Sequence, residues 1–75
     1  MNLIQALDRA IRTAMAQAGI VWISDLAERA GVTRQTITST IQSGSGSLAT
    51  MEKIAEACDT TVAAIYAERD RLAGL

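Results

Sequence analysis

Residues 26–37 read LAERAGVTRQTI, the most informative segment of the chain about its architecture. Gly31 can adopt the positive φ that ends a helix, a conformation that a side chain would penalise. Thr33 can start a second helix, because its hydroxyl accepts a hydrogen bond from a free backbone amide. Ala27 is small enough for the second helix to cross close over the first, and Ile37 can fill the corner between them. The stretch therefore predicts two helices joined at a steep angle by a short turn.

Apolar residues at helical spacing extend this prediction toward both ends of the chain. Asn2 is suited to cap a first helix, and Thr61 to cap a last one. We expect helices over Leu3–Ala18, Ile23–Ala30, Thr33–Ser43, Leu48–Cys58 and from Val62 to a frayed end near Gly74. Their inward stripes include Leu3, Ile4 and Leu7 in the first helix and Leu48, Met51 and Ile54 in the fourth. The expected fold class is all-α, a compact five-helix bundle.

Two connecting segments need an interpretation of their own. Ile20–Ile23 is an apolar run that resembles a strand, but the chain offers no second strand to pair with it. We interpret it as a packed connection, with Trp22 as a filler of the core or its rim rather than a platform for stacking. Gly44–Ser47 reads GSGS, which predicts a flexible loop.

Size and composition limit the class of protein. The chain has 75 residues, 49% of them hydrophobic, which predicts one globular domain over residues 1–75 and excludes a disordered tail. No run approaches the roughly 20 apolar residues of a membrane helix, and Met1–Asp8 lacks the features of a secretion signal. Cys58 is the only cysteine, so no internal disulfide can form and we expect a reducing, cytoplasmic location.

Charge is distributed unevenly along the chain, although its net value is only −1. Between Ala30 and Met51 the one charged residue is Arg34, and there is no acid. The same stretch contains nine hydroxyl residues: Thr33, Thr36, Thr38, Ser39, Thr40, Ser43, Ser45, Ser47 and Thr50. A surface that faces phosphates needs hydrogen-bond donors and must avoid carboxylates. The stretch meets both conditions.

Catalysis is not expected from these residues. The chain has no His, no cluster of metal ligands and no base beside its single Cys. Cys58 falls on the apolar stripe of the fourth helix, which indicates a structural role. We therefore expect neither an enzyme nor a cofactor or metal.

Three segments together resemble one family. Residues 26–37 are similar to the helix-turn-helix of the lambdoid phage repressor and Cro family, also called the XRE family. Residues 47–58, SLATMEKIAEAC, resemble its fourth helix, and residues 61–66, TVAAIY, resemble the start of its fifth. With the first helix, the resemblance covers nearly the whole chain. It implies a lambda repressor-like fold, with the motif at about residues 23–43, in a DNA-binding protein of bacterial origin.

The chain departs from the family pattern near the end of the third helix. The family usually has an apolar residue three positions after Ile37, whereas this chain has Thr40 there and Ile41 next. The family's Gly near the helix end is displaced by one position, to Gly44. We therefore expect a local change of register at this helix end. Asp59 replaces the usual turn Gly, which Asp tolerates in a left-handed conformation.

The resemblance implies a role for each polar residue of the motif. Arg34 would bond to guanine and Gln35 to adenine in the major groove of DNA. Thr38 and Ser39 would contact bases further along that groove. Phosphates would be contacted by Ser24, Thr33, Thr36, Gln42, Ser43, Ser45 and Ser47, and by the amides that open the fourth helix. Ser24 is included because Ile23 stands where relatives commonly have a phosphate-contacting Gln. The plain alternative is that these side chains are a solvated surface.

Two classes of function are compatible with this pattern. The first is a transcriptional regulator, a phage- or prophage-type repressor that binds double-stranded operator DNA as a homodimer and is associated with the nucleoid. Half-sites about one helical turn apart would suit such a dimer, and Tyr66, Leu72 and Leu75 are the candidate dimer contacts. The second is a protein-interaction module on the same fold, such as an antitoxin or an anti-repressor, since fold does not fix function. The net negative charge favours the second class.

Overall fold

Five α-helices and no strand make up the computed structural model, which describes residues 1–75. The helices are α1 (Leu3–Gln17), α2 (Ile23–Ala30), α3 (Arg34–Ser43), α4 (Leu48–Ala57) and α5 (Val62–Ala73). This confirms the expected all-α class, and every predicted helix is present with ends that differ by no more than one residue. No helix is both long enough and apolar enough to cross a membrane.

Side-chain caps explain where most of the helices begin. Thr33, Ser47 and Thr61 precede α3, α4 and α5, and each accepts a hydrogen bond from the backbone amide three residues on. Asn2 does the same for α1 and forms a capping box with Gln5. Only α2 begins without a side-chain cap. These bonds satisfy amides that have no partner inside the helix.

All five helices contribute to one hydrophobic core. Its largest fully buried side chains are Leu7, Ile11, Met15, Leu26, Ile37, Met51 and Ile54, and Ile65 adds a contribution from α5. Cys58 lies in the same core, as its place on the apolar stripe predicted. Burial raises the pKa of the Cys58 thiol, which the charge of Arg29 offsets only in part. The thiol is therefore held in its neutral, unreactive form.

The corner between α2 and α3 has the geometry that the sequence predicted. Gly31 ends α2 with φ +72°, and the amide of Val32 donates to the carbonyl of Ala27 at 3.1 Å. Ala27 is buried beneath the crossing, and Val32 packs against the core. Asp59 likewise takes the left-handed conformation expected of it, with φ +56°.

Several residues predicted to face inward are exposed instead. Between 42% and 66% of the surface is exposed to solvent in Leu3, Ile4 and Leu48. All three residues lie in the first turn of a helix. Helical periodicity marks the apolar face of a helix, but it does not say how far along that face the neighbouring helices reach. Trp22 was also predicted wrongly as a core or rim filler, because 67% of its surface is exposed. Within the Ile20–Ile23 connection, only Ile20 is buried.

Ile37 is the residue through which α3 is attached to the core. Ile37→Ala is expected to lower the free energy of unfolding by about 2–5 kcal/mol, because it leaves a cavity where a fully buried side chain was. A domain of this size has little stability in reserve, so the variant should be largely unfolded. Circular dichroism during urea unfolding measures the change.

Gln35→Ala is the matched control, since Gln35 lies on the same helix and is exposed. Its unfolding free energy should stay within about 0.5 kcal/mol of the wild type. Equal destabilisation by both changes would show that Gln35 is a structural residue and would contradict this assignment.

Candidate nucleic-acid interface

The buried residues of α3 determine which of its side chains face outward. Ile37 and Thr40 are buried and lie on one side of the helix. Residues advance by about 100° each around a helix, so Gln35, Ser39 and Gln42 fall opposite that side. All three are exposed. The outward face of α3 is therefore polar along its whole length.

A polar groove of about 600 Å³ lies beside α3 and has no hydrophobic residue in its lining. One wall is α3 itself, and the other is the α3–α4 loop, residues Gly44–Ser47. The groove is lined by Thr33, Gln35, Thr36, Ser39, Thr40, Ser43, Ser45, Gly46 and Ser47. Seven of these nine residues were predicted DNA contacts; Thr40 and Gly46 were not. The fold thus gathers residues that are up to 14 positions apart in the sequence.

The remaining predicted contacts lie outside this groove. Arg34 and Thr38 occupy the opposite flank of α3, Gln42 lies on the outward face next to that flank, and all three are exposed. Ser24 is exposed in the first turn of α2. The four residues predicted to contact bases are therefore divided, with Gln35 and Ser39 beside the groove and Arg34 and Thr38 away from it.

The predicted change of register at the end of α3 is wrong. Thr40 occupies the buried position in which the family has an apolar residue, and its hydroxyl donates to the carbonyl of Thr36 at 2.9 Å. This internal bond lets a polar side chain replace an apolar one without leaving a buried donor unpaired. The helix continues without interruption to Gly44, which has φ +74°.

Many of the hydroxyls already have partners within the chain. The Thr33 and Thr36 hydroxyls are 2.9 Å apart, and the Ser43 hydroxyl donates to the carbonyl of Ser39 at 2.9 Å. The Ser47 hydroxyl caps α4 and donates to Thr50 at 3.0 Å. The predicted contacts whose side chains make no hydrogen bond within the chain are Ser24, Arg34, Gln35, Thr38, Ser39, Gln42 and Ser45. These side chains can bond to a ligand without breaking an existing bond.

The electrostatics of this surface are set by one cation. Arg34 is exposed and forms no ion pair, whereas the three ion pairs of the chain lie within α1 and α5. No acid lies between Ala30 and Met51, and none lines the groove. No group of three or more His, Cys, Asp or Glu residues is placed to hold a metal ion. The surface is suited to an anionic ligand that is recognised mainly by hydrogen bonds.

The α3–α4 loop is more closely packed than its GSGS sequence indicates. A Cβ atom on Gly46 would lie 2.7 Å from Cγ2 of Thr40 and 3.5 Å from the sulfur of Met51. The Tyr66 hydroxyl and the Arg69 guanidinium reach this loop from α5. No local sequence pattern marks a contact between segments 20 or more positions apart. Gly46 and Arg69 were therefore not predicted, and Tyr66 was predicted only as a dimer contact.

The residues predicted for a dimer contact differ in direction and in exposure. Tyr66 and Leu72 are both half-buried, and six residues of helix separate their directions by about 120°. Leu75 lies beyond the end of α5 and keeps 81% of its surface exposed. Of the three, Leu75 is the only one that is fully available for contact with another molecule.

A family model described as a Cro/C1-type HTH DNA-binding domain matches residues 10–67. The match includes all of α2, α3 and α4, together with parts of α1 and α5. No curated protein and no solved structure matches the chain at a significant level.

The close approach of Gly46 to Thr40 is testable by mutation. Gly46→Ala should lower the free energy of unfolding by about 1–3 kcal/mol, because the added methyl group overlaps the Thr40 side chain. Adding Thr40→Ser should recover much of the loss, because it removes Cγ2 and keeps the hydroxyl that bonds to Thr36. Urea unfolding of the two single variants and the double variant measures this coupling.

Ser45→Ala is the control, since Ser45 lies in the same loop and is exposed. We expect it to leave stability unchanged within about 0.5 kcal/mol. If the effects of Gly46→Ala and Thr40→Ser simply added, the loop would not be packed on Thr40 in the way described.

Proposed function

The chain belongs to the Cro/C1-type helix-turn-helix DNA-binding domain family, and on this premise we propose that it is a sequence-specific transcriptional regulator. It is of the phage or prophage repressor type, and residues 1–75 act as one DNA-binding domain. The observation that carries the proposal is the outward face of α3, which is polar and free of acids and lies opposite the buried Ile37. A helix held in this way can enter the major groove of duplex DNA. The proposed setting is the nucleoid of a bacterial cytoplasm.

Bases are read from the exposed positions of α3. Gln35 points directly outward and can bond to both N6 and N7 of adenine, and Arg34 can bond to O6 and N7 of guanine. Ser39 lies one turn after Gln35 and can reach the next base pair. Thr38 contacts a thymine methyl group from the flank that it shares with Arg34. Because these residues lie on two flanks of α3, the proposed base contacts are spread across the width of the DNA major groove.

Phosphates are contacted from both sides of the base-reading residues. The proposed set is Ser24, Thr33, Thr36, Gln42, Ser43, Ser45 and Ser47, with the free amides at the start of α4. Ser24, Gln42 and Ser45 are the strongest members, because their side chains make no hydrogen bond within the chain. A phosphate oxygen only accepts hydrogen bonds, so Ser43 and Ser47, whose hydroxyls donate within the chain, would contact it after a change of rotamer. One hydroxyl of the Thr33–Thr36 pair keeps a proton that it can donate to a phosphate.

Operator binding by a homodimer is a further part of the proposal. One copy offers a single cation on its base-reading surface, so it should hold one half-site weakly. Half-sites in this type of complex are separated by about 34–36 Å, and the longest extent of the domain is 31 Å. Two domains side by side are compatible with that spacing. Tyr66, Leu72 and Leu75 stay the proposed contacts, with Leu75 the most accessible of them.

Selection of bound sequences from a random duplex pool at low salt tests the function. We expect a preferred sequence to emerge, and its affinity to fall as salt rises. Absence of any duplex binding at low salt would contradict the proposal and would favour a protein-interaction module on the same fold.

Two variants separate the roles within α3. Arg34→Ala should abolish the preference for one guanine and, because it removes the only cation on this surface, should also reduce the slope of log K against log salt by about one. Gln35→Ala should leave the slope unchanged and abolish the preference for one adenine, a loss of about 1–3 kcal/mol in discrimination. Both variants should unfold at the same urea concentration as the wild type. Identical effects on slope and selectivity would contradict the division of roles.

Sedimentation equilibrium tests the proposed dimer. With a near-palindromic operator present, we expect two copies per duplex, whereas a single half-site should carry one. Leu75→Ser should weaken binding to the whole operator and leave half-site affinity unchanged. A monomer at every concentration, with and without operator, would remove the dimer from the proposal.

A further inference from the structure

The α3–α4 loop takes part in every long-range side-chain hydrogen bond of the chain. All other side-chain hydrogen bonds join residues no more than four positions apart. The exceptions join Tyr66 to Gly46 and Arg69 to Gly44, across 20 and 25 positions. A 75-residue domain that otherwise relies on apolar packing thus has its only distant polar contacts in one place. We call these bonds the α5–loop contact.

Tyr66 satisfies both backbone groups of Gly46 with one hydroxyl. The amide of Gly46 donates to the Tyr66 oxygen at 3.2 Å, and the hydroxyl donates to the carbonyl of Gly46 at 3.3 Å. The bonded atoms are partly buried, so water competes for them less than at an open surface. The hydroxyl therefore fixes the loop at the residue that also packs on Thr40.

Arg69 holds the other end of the loop. Its Nη1 donates to the carbonyl of Gly44 at 2.9 Å, and the guanidinium carbon lies 4.4 Å from the centre of the Tyr66 ring. Asp70 balances its charge at 2.8 Å, and only 17% of the Arg69 side chain is exposed. A paired and mostly buried cation is poorly placed to contact phosphate itself. Its role is to hold the loop and the Tyr66 ring.

The loop needs this support because its own sequence provides none. Gly44 and Gly46 give the backbone more conformational freedom than other residues would, and the Ser45 side chain bonds to nothing in the chain. The hydroxyls of Ser45 and Ser47 form the wall of the polar groove that faces α3. If the loop is already ordered in the free protein, binding a ligand costs less conformational entropy.

We propose that Tyr66 and Arg69 are positioning residues for DNA binding, which hold the α3–α4 loop so that Ser45 and Ser47 can reach the phosphates beside the base-reading helix. This inference rests on the proposed function, because it assigns a ligand to the groove wall. It also gives the Tyr66 hydroxyl a role within its own subunit, which leaves the hydroxyl unavailable for a dimer contact.

Tyr66→Phe tests the inference, because it removes the hydroxyl and keeps the ring under Arg69. Hydrogen exchange of the Gly46 amide should become faster, while amides of the core such as that of Ile54 keep their protection. Affinity for a duplex with a single half-site should fall by about three- to tenfold, which is less than two lost hydrogen bonds could cost, because these bonds act on the ligand only through the order of the loop. A half-site keeps self-association out of the measurement.

A double-mutant cycle with Ser45→Ala separates positioning from general stability. If Tyr66 acts through the loop, Tyr66→Phe should reduce affinity by a smaller factor in the Ser45→Ala background than in the wild type. Ile65→Val is the matched control, since Ile65 is the neighbouring residue in α5 and is buried away from the loop. It should lower thermal stability without changing half-site affinity or the relative exchange rate of Gly46.

If the wild type binds DNA, three outcomes would overturn the inference. Unchanged affinity in Tyr66→Phe would do so, and so would full independence of the two effects in the cycle. Loss of affinity in Ile65→Val equal to that in Tyr66→Phe would mean that stability alone matters. Absence of duplex binding by the wild type would remove the proposed function and the positioning role together. The Gly46 exchange rate would then still report whether the α5–loop contact exists, so the two failures are distinguishable.

Discussion

Burial of Ile37 is the constraint on which the rest of this structure depends. The side chain has no exposed surface, and it places α3 against the core through one side only. The side opposite Ile37 must then face solvent, which is where Gln35 and Ser39 lie. Gly31 makes this possible, because its left-handed conformation turns the chain sharply between α2 and α3. One apolar contact and one backbone conformation thus determine what the domain presents to a ligand.

The residues on that presented face are poor helix formers, and the structure accommodates them by local bonds. Ser and Thr compete with the helix for backbone partners, and α3 has five of them in ten residues. Thr33 caps the helix, and Thr40 and Ser43 return their hydroxyls to carbonyls one turn back. The helix also gains from the packing of Ile37 and Ile41 against the core. The stability of α3 comes from its packing on the core more than from the helix propensity of its residues. Its outward positions can therefore hold residues that suit ligand binding.

The features that were predictable from the sequence are those with local physical causes. Caps at Asn2, Thr33 and Thr61 act on amides three residues away, so a short pattern is sufficient to find them. The exposure of Trp22 depends on how far neighbouring helices extend, and the contact between Tyr66 and Gly46 joins segments 20 positions apart. Neither the exposure of Trp22 nor the Tyr66–Gly46 contact produces a periodic pattern in the sequence. For the candidate site, the outward residues of α3 were predictable, whereas the packing that shapes the loop beside them was not.

The net negative charge of the chain does not argue against an anionic ligand, because the position of each charge matters more than the sum. All eight acids lie outside the stretch from Ala30 to Met51. Charges in water at physiological salt are screened over about 8 Å, and the domain measures at least 20 Å in every direction. Carboxylates beyond that distance therefore have little effect at the polar groove, and Asp70, which lies close to the loop, is paired with Arg69. Arg34, on the other flank of α3, is the one cation of the base-reading helix, so attraction over long distance is weak and recognition must come from hydrogen bonds made at contact. Such bonds discriminate among ligands by geometry, so a surface of this kind should favour selectivity over affinity.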